Sequence, residues 1–226
     1  ARAEREALAN PDVVLKVRPP LCQASDGRQE AELFPEGSVY IGFFGPLTFR
    51  EVLRIFLERR VTSFSMEYIP RITRAQNMDA LSSMSTVAGY KAVLLAAEKL
   101  GKIFPLMMTA AGTVPPATVL VLGAGVAGLQ AIATAKRLGA KVEAFDPRAV
   151  VKEQVKSLGA AFIDMEVNED VEAGSGYAKE QSEDFLKKER DVIAARLPKV
   201  NVVISTAQVF EKRAPILITE EMVKLL

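Results

Sequence analysis

Three glycines and one acid carry the first chemistry in this chain. Gly123, Gly125 and Gly128 stand in the spacing G-x-G-x-x-G, and Asp146 lies 18 residues beyond the last of them. In such a turn the first glycine allows a tight bend, the second lets backbone approach a pyrophosphate, and the third lets a helix pack on its strand. A helix opening at Val126 and Ala127 offers free N–H groups and the positive end of its dipole to phosphate. Asp146 sits near the usual spacing, about 20 residues, for the acid that holds a ribose 2′-hydroxyl. The set reads as a dinucleotide site. A carboxylate at that place repels a 2′-phosphate and favours NAD over NADP, while Arg148, two residues on, pulls the other way. The plain alternative is a glycine turn in an α/β protein that binds nothing.

A second group of polar residues precedes a long helix: Arg71, Arg74, Gln76, Asp79 and Ser82. Arginines grip a pyrophosphate through paired N–H bonds, and Gln76, Asp79 and Ser82 have the donors and acceptors to meet a carboxamide or a ribose. Equally, Asp79 suits a helix N-cap and the arginines suit a solvated face. Gly174-Ser175-Gly176-Tyr177 ends an acidic stretch. It reads either as a hinged lid laying a ring over a ligand or as an ordinary surface loop.

The elements that must position these groups follow from periodicity. Strands are expected at Val13 to Val17, Ser38 to Phe43 and Thr62 to Met66. A helix from Thr48 to Arg59 is opened by a Thr48/Glu51 capping box, with Phe49, Val52, Leu53 and Phe56 on its apolar face. A long helix from Ala80 to Ile103, apolar on most sides, reads as a buried connector, and 105–117 as a loop. The run Val119-Leu120-Val121-Leu122 is the strand before the glycine turn. Ala127 to Leu138 is the crossover helix with Gly139 at C′, and Lys141 to Phe145 is the second strand. Helices at 149–158 and 179–197, strands at 161–163 and 201–205, and a helix from Thr219 complete the order. Alternating strands and helices predict an α/β fold: two Rossmann-like lobes with parallel sheets joined by a long helix. The N-terminal lobe is residues 1–80, including 71–79. The connector and dinucleotide-binding domain are 81–226, with a cofactor site expected in the cleft at the boundary. Four strands follow the connector where a full dinucleotide fold has about six, so a truncated fragment is expected.

Bulk properties narrow the chemistry. The 226 residues are 49% hydrophobic with a net charge of +1, which predicts a real core and no nucleic-acid partner. Cys22 is the single cysteine, excluding an internal disulfide and suiting a reducing compartment. The chain has no histidine, which removes imidazole acid–base chemistry and His-dependent nucleophiles; with one cysteine, no metal site is expected. Residues 103–135 carry no charge, but prolines and glycines interrupt them repeatedly, so no membrane span is expected there.

Five motifs resemble one family. They are Arg71-Ile72-Thr73-Arg74-Ala75-Gln76-Asn77-Met78-Asp79-Ala80-Leu81-Ser82-Ser83, Ala88-Gly89-Tyr90-Lys91, Thr109 through Pro116, Gly123 through Gln130, and Gly176 through Glu180. The chain is similar along nearly its whole length to the soluble NAD(H)-binding alpha component of proton-translocating NAD(P) transhydrogenase. The resemblance implies that the loop Arg71 to Asp79, with Ile72, Thr73, Arg74, Asn77 and Met78, contacts the cofactor. Arg71 would lie at phosphate, with Gln76, Asp79 and Ser82 near the nicotinamide and Gln76 aligning the two nicotinamide rings. Val126 of the glycine turn and Asp146-Pro147-Arg148 would hold the adenosine side, and Gly176 and Tyr177 would belong to a loop closing over NAD(H). Gln208 stands where relatives place an apolar residue against the cofactor, and Pro147 is also unusual. The family passes hydride from NADH to NADP⁺ held by a partner component, coupled to proton movement through a membrane-spanning component. A homodimer on the cytoplasmic face of a bacterial inner membrane is therefore expected.

Hydride exchange between nicotinamides needs alignment and exclusion of water more than an acid or base, which fits a chain without histidine. The nearest rival is alanine dehydrogenase, whose substrate chemistry needs proton delivery. Its histidine in the first lobe falls near Phe44 here, and Lys16 matches a basic residue of both families. An inactive NAD-binding fragment is the third reading.

Overall fold

The computed structural model describes residues 8, 10–20, 29–165, 182–208 and 213–226. The chain forms two compact α/β units, residues 1–81 and 82–226.

In the first unit, β1 (Val13–Lys16), β2 (Val39–Gly42), α1 (Arg50–Glu58) and β3 (Thr62–Ser65) form a parallel sheet in the order β1-β2-β3 with one crossover helix. Aromatic packing holds it together. Phe34, Tyr40, Phe44 and Phe56 are all at most 2% exposed, with ring centroids 5.2–5.6 Å apart. Val52 and Ile55 join Phe56 on the buried face of α1. The Thr48/Glu51 capping box does not form. Gly45, at φ +51°, turns the chain so that its carbonyl accepts from Thr48 and Phe49, both at 2.8 Å. Phe49 becomes the N-cap, the helix starts too late for Thr48 to cap it, and Glu51 pairs with Arg54 instead at 2.6 Å. The stretch expected as polar loop winds into a 3₁₀ helix, Thr73–Met78.

The second unit begins within α2 (Ala80–Lys99). A short antiparallel hairpin, β4 (Met107–Thr109) and β5 (Gly112–Val114), replaces part of the expected loop. Then come β6 (Thr118–Leu122), α3 (Val126–Arg137), β7 (Lys141–Phe145), α4 (Lys152–Ser157), β8 (Ala161–Phe162), α5 (Glu183–Ala194), β9 (Val202–Ser205) and α6 (Glu220–Val223). The main sheet is parallel, in the order β8-β7-β6-β9. Val119 and Val121 enter one core with Val93, Ala131 and Ile132, while Leu120 and Leu122 enter the other with Phe145, Ile193 and Leu197. All four of these β6 residues are fully buried. Two-sided burial thus explains an unbroken aliphatic run, and each side chain so buried contributes about 1.5–3 kcal/mol.

The long helix differs from expectation. It ends at Lys99 rather than Ile103, with Gly101 and Pro105 following, and it is not buried: Met84, Val87, Tyr90 and Leu95 are exposed. Gly89 and Val93 are its buried residues. By length and composition α2 is apolar enough to cross a membrane, but its Val93 belongs to the core of this unit.

Phe56→Ala opens a cavity among three rings and is expected to cost about 3–5 kcal/mol. Native-state amide exchange should rise across residues 39–65; unchanged protection there would show that the aromatic cluster does not hold the sheet.

Candidate functional site

The glycine turn is built by close backbone approach. Gly123 has φ +91°, a region that favours glycine. A Cβ on Gly128 would lie 1.8 Å from the Gly123 carbonyl oxygen, so only glycine lets the first turn of α3 seat on the end of β6. Thr206, just past β9, closes the other side, its hydroxyl donating to the carbonyls of Gly123 at 2.9 Å and Leu122 at 3.2 Å. The turn therefore sits at the carboxyl edge of the sheet, beside the point where strand order switches from β6 to β9. Gly125 is the N-cap of α3 and gives it no side-chain cap, leaving the first-turn N–H groups of Val126, Ala127 and Gly128 to an outside acceptor. A Cβ on Gly125 would meet nothing within 4 Å among the described residues.

Asp146, at the end of β7, is 6% exposed. Its Oδ2 accepts from the Ala124 N–H at 2.7 Å, which ties the acid to the turn. Arg148 supplies the rest: its backbone N–H and Nε reach Oδ1 at 2.9 and 3.0 Å, and Nη2 reaches Oδ2 at 3.0 Å. Gly123, Gly125, Val126, Ala127, Gly128, Asp146, Pro147 and Arg148 are thus gathered at one edge of one sheet. Gln208 is exposed, two residues beyond Thr206.

The first unit carries the predicted residues from Arg71 to Asp79. Ile72, Arg74, Gln76, Asn77 and Met78 are exposed on or beside the 3₁₀ turn, whose Ala75 is buried. Arg71 faces Asp79 across 3.9 Å. Ser82 lies in the first turn of α2, its carbonyl accepting from Thr86. Gly176 and Tyr177 lie outside the described residues. The groups best able to move a proton in the first unit are engaged. Lys16 Nζ is held by Glu30 at 2.9 Å and Pro19 O at 3.4 Å. Tyr40 donates to Phe43 O at 3.1 Å, and burial, then the charges of Glu67 and Glu30, push its phenol above its ordinary range. Phe44 is core.

Sequence reasoning misses three contributors. Thr206 is one. Gly89 is the second: a Cβ there would lie 2.1 Å from the Ala127 carbonyl oxygen, so α2 presses directly on the first turn of α3. Glu189 is the third, 2% exposed on the inward stripe Phe185–Glu189–Ile193 of α5. Its Oε2 finds no hydrogen-bond partner among the described residues. Burial first, and then the nearby Asp146 charge, push its carboxyl up to about 7, against a lowering by Arg190. The i±4 register from Phe185 and Ile193 is the signal that could have found it.

Two outcomes are expected. In an exposed helix Gly→Ala stabilises by up to about 1 kcal/mol, but Gly89→Ala should destabilise by about 1–3 kcal/mol in urea unfolding because backbone must move; a gain would refute the contact. Glu189 has a folded-state pKa above its unfolded value, so its contribution is complete below about pH 4.3 and is lost as pH rises through about 7. Glu189→Gln should match the wild type in melting temperature near pH 4 and exceed it by a few degrees at pH 8; parallel profiles would show that Glu189 ionises normally.

Both units of the chain resemble known proteins. Residues 1–88 match the model described as alanine dehydrogenase/PNT, N-terminal domain, and residues 92–226 its C-terminal domain. The chain is 52% identical over 225 residues to an NAD(P) transhydrogenase subunit alpha chain of Rhodospirillum rubrum, covering 99% of this chain and 58% of that one. The structure of transhydrogenase from Sinorhizobium meliloti matches with a TM-score of 0.80 at 41% identity, over 98% of this chain and 57% of that one. L-alanine dehydrogenase shares the fold, with a TM-score of 0.68 at 21% identity over 98% and 54%. The chain spans less than three fifths of the length of each. With both halves matched and the glycine turn and its acid in place, the chain belongs to the alanine dehydrogenase/PNT family.

Proposed function

We propose that this chain is the NAD(H)-binding portion of a proton-translocating transhydrogenase alpha subunit. The observation that carries the reading is the Asp146 carboxylate fixed at 2.7 Å to the Ala124 N–H, beside the uncapped start of α3. An acid suited to a ribose diol then stands next to backbone donors suited to a pyrophosphate. The residues present fit a dinucleotide without a 2′-phosphate: Val126, Ala127 and Gly128 N–H groups for phosphate, Asp146 for ribose, and Pro147 and Arg148 beside the adenosine. Arg71, Ile72, Thr73, Arg74, Gln76, Asn77, Met78, Asp79, Ser82, Gln208, Gly176 and Tyr177 complete the proposed contacts.

When bound, NADH supplies a hydride, two electrons and one proton together, to NADP⁺ held by a partner component, and no proton is exchanged with the protein in that step. This chain's task is then positional. Gln76 aligns the nicotinamide and Arg71 neutralises phosphate. In keeping with the family resemblance, the chain works as a homodimer on the cytoplasmic face of the inner membrane, attached through NADP-binding and membrane-spanning components. An alanine dehydrogenase reading needs a proton donor in the first unit; Lys16 and Tyr40 are engaged and Phe44 is core, which supports hydride transfer without one.

Calorimetry should show NADH binding that Asp146→Asn weakens about tenfold or more, the worth of bonds to a charged acceptor. Equal affinity of the wild type for NADH and NADPH would overturn the ribose assignment. With the NADP-binding component added, Gln76→Asn should lower the hydride-transfer rate about tenfold while leaving NADH affinity within about twofold. Oxidation of NADH by pyruvate and ammonia would restore the dehydrogenase reading.

A further inference from the structure

Asp146 is saturated. A carboxylate offers about four lone-pair directions, and all four are filled, one by the Ala124 N–H and three by Arg148. The pair is nearly closed to water, with side chains 4% and 12% exposed. A ribose diol needs two of those directions. The two bonds made by backbone N–H groups belong to the turn and cannot leave without unfolding it. The two made by Nε and Nη2 belong to a flexible side chain and can. They end on different oxygens, Nε on Oδ1 and Nη2 on Oδ2, so their removal opens one acceptor on each oxygen. That is what a pair of neighbouring hydroxyls requires.

We propose that the Arg148 guanidinium is a resident stand-in for the ribose diol, which the cofactor must displace from Asp146, making Arg148 a determinant of cofactor affinity and selectivity. The inference rests on the dinucleotide reading above. Its effect is opposite to that of an ordinary binding residue. A ligand that binds only the displaced form has its affinity reduced by the fraction of protein in that form. Pro147 strengthens the closed form. It fixes its own φ and confines Asp146 to extended backbone, which narrows the turn in which the Arg148 N–H meets Oδ1 at 2.9 Å. Once displaced, the same cation is free to face a 2′-phosphate, so Arg148 narrows the preference for NADH over NADPH from both sides.

The test is titration of NADH and NADPH by their own fluorescence, which no tryptophan in the chain obscures. Arg148→Gln removes charge and fork; Arg148→Lys keeps the charge and loses the fork. The NADH Kd should fall about threefold or more in Arg148→Gln and by less in Arg148→Lys, while the NADPH Kd rises in Arg148→Gln. A residue with only a structural role would weaken both ligands together. If Arg148→Gln fails to fold by circular dichroism, the Arg148→Lys shift in NADH Kd decides. NADH binding that is unchanged or weaker in the folded variants overturns the stand-in while leaving the dinucleotide reading intact. A wild type that binds neither nucleotide removes both.

Discussion

The approach of α3 to the end of β6 is the constraint on which the site depends. Gly128 sits where any side chain would occupy the Gly123 carbonyl oxygen, and that oxygen is at the same time held by the Thr206 hydroxyl. The contact seats the first turn of α3 on the end of β6, and Gly125 leaves that turn without a side-chain cap among the described residues. From the other side Gly89 lets α2 press on Ala127. Two backbone contacts that tolerate no Cβ therefore fix one helix terminus, and full burial of β6 on both faces gives that terminus a rigid base. Rigid elements hold binding groups more closely than loops do, which is why the donors are backbone and the adjustable parts are side chains.

Electrostatics at this edge are organised around one carboxylate. Asp146 is buried among four N–H donors. A second carboxyl, Glu189, lies on the inward face of α5, with no hydrogen bond to Oε2 among the described residues. Asp146 has the donors, whereas burial first, and then the Asp146 charge, push the Glu189 carboxyl up to about 7. Asp146 is thus held in a fixed place beside the uncapped start of α3, an arrangement matched to the hydroxyls and phosphates of the proposed dinucleotide.

The parts of this site that sequence makes legible are those with a fixed local mechanism. G-x-G-x-x-G after an aliphatic run and before a 3.6-residue period specifies strand, turn and helix, and the acid at the end of the next strand follows. The parallel order of both sheets follows from alternating periods. What stays hidden is set by register or by tertiary contact. The Thr48/Glu51 pair has capping-box spacing, yet Gly45 turns the chain and shifts the N-cap to Phe49. The hairpin at 107–114 has no alternation to betray it, since Met107 and Met108 are both exposed. Glu189 hides in the run Lys187-Lys188-Glu189-Arg190-Asp191, which reads as a solvated face until Phe185 and Ile193 fix the inward stripe. In α2 the apolar residues lack a single face, so composition suggests burial where the fold exposes most of them. Asp146 and Arg148 read in sequence as an ambiguity between NAD and NADP; in the fold they are a single bonded pair.

The most direct measurement of the central claim is amide chemical-shift mapping of the ¹⁵N-labelled chain on addition of ADP-ribose, which carries the pyrophosphate and both riboses but no nicotinamide. The account predicts that the largest shifts fall on Ala124 through Gly128 and on Arg148, with the Arg148 Nε–H resonance moving as its bond to Asp146 is exchanged. Shifts confined to other parts of the sheet, or none at these residues at saturating ligand, would contradict it.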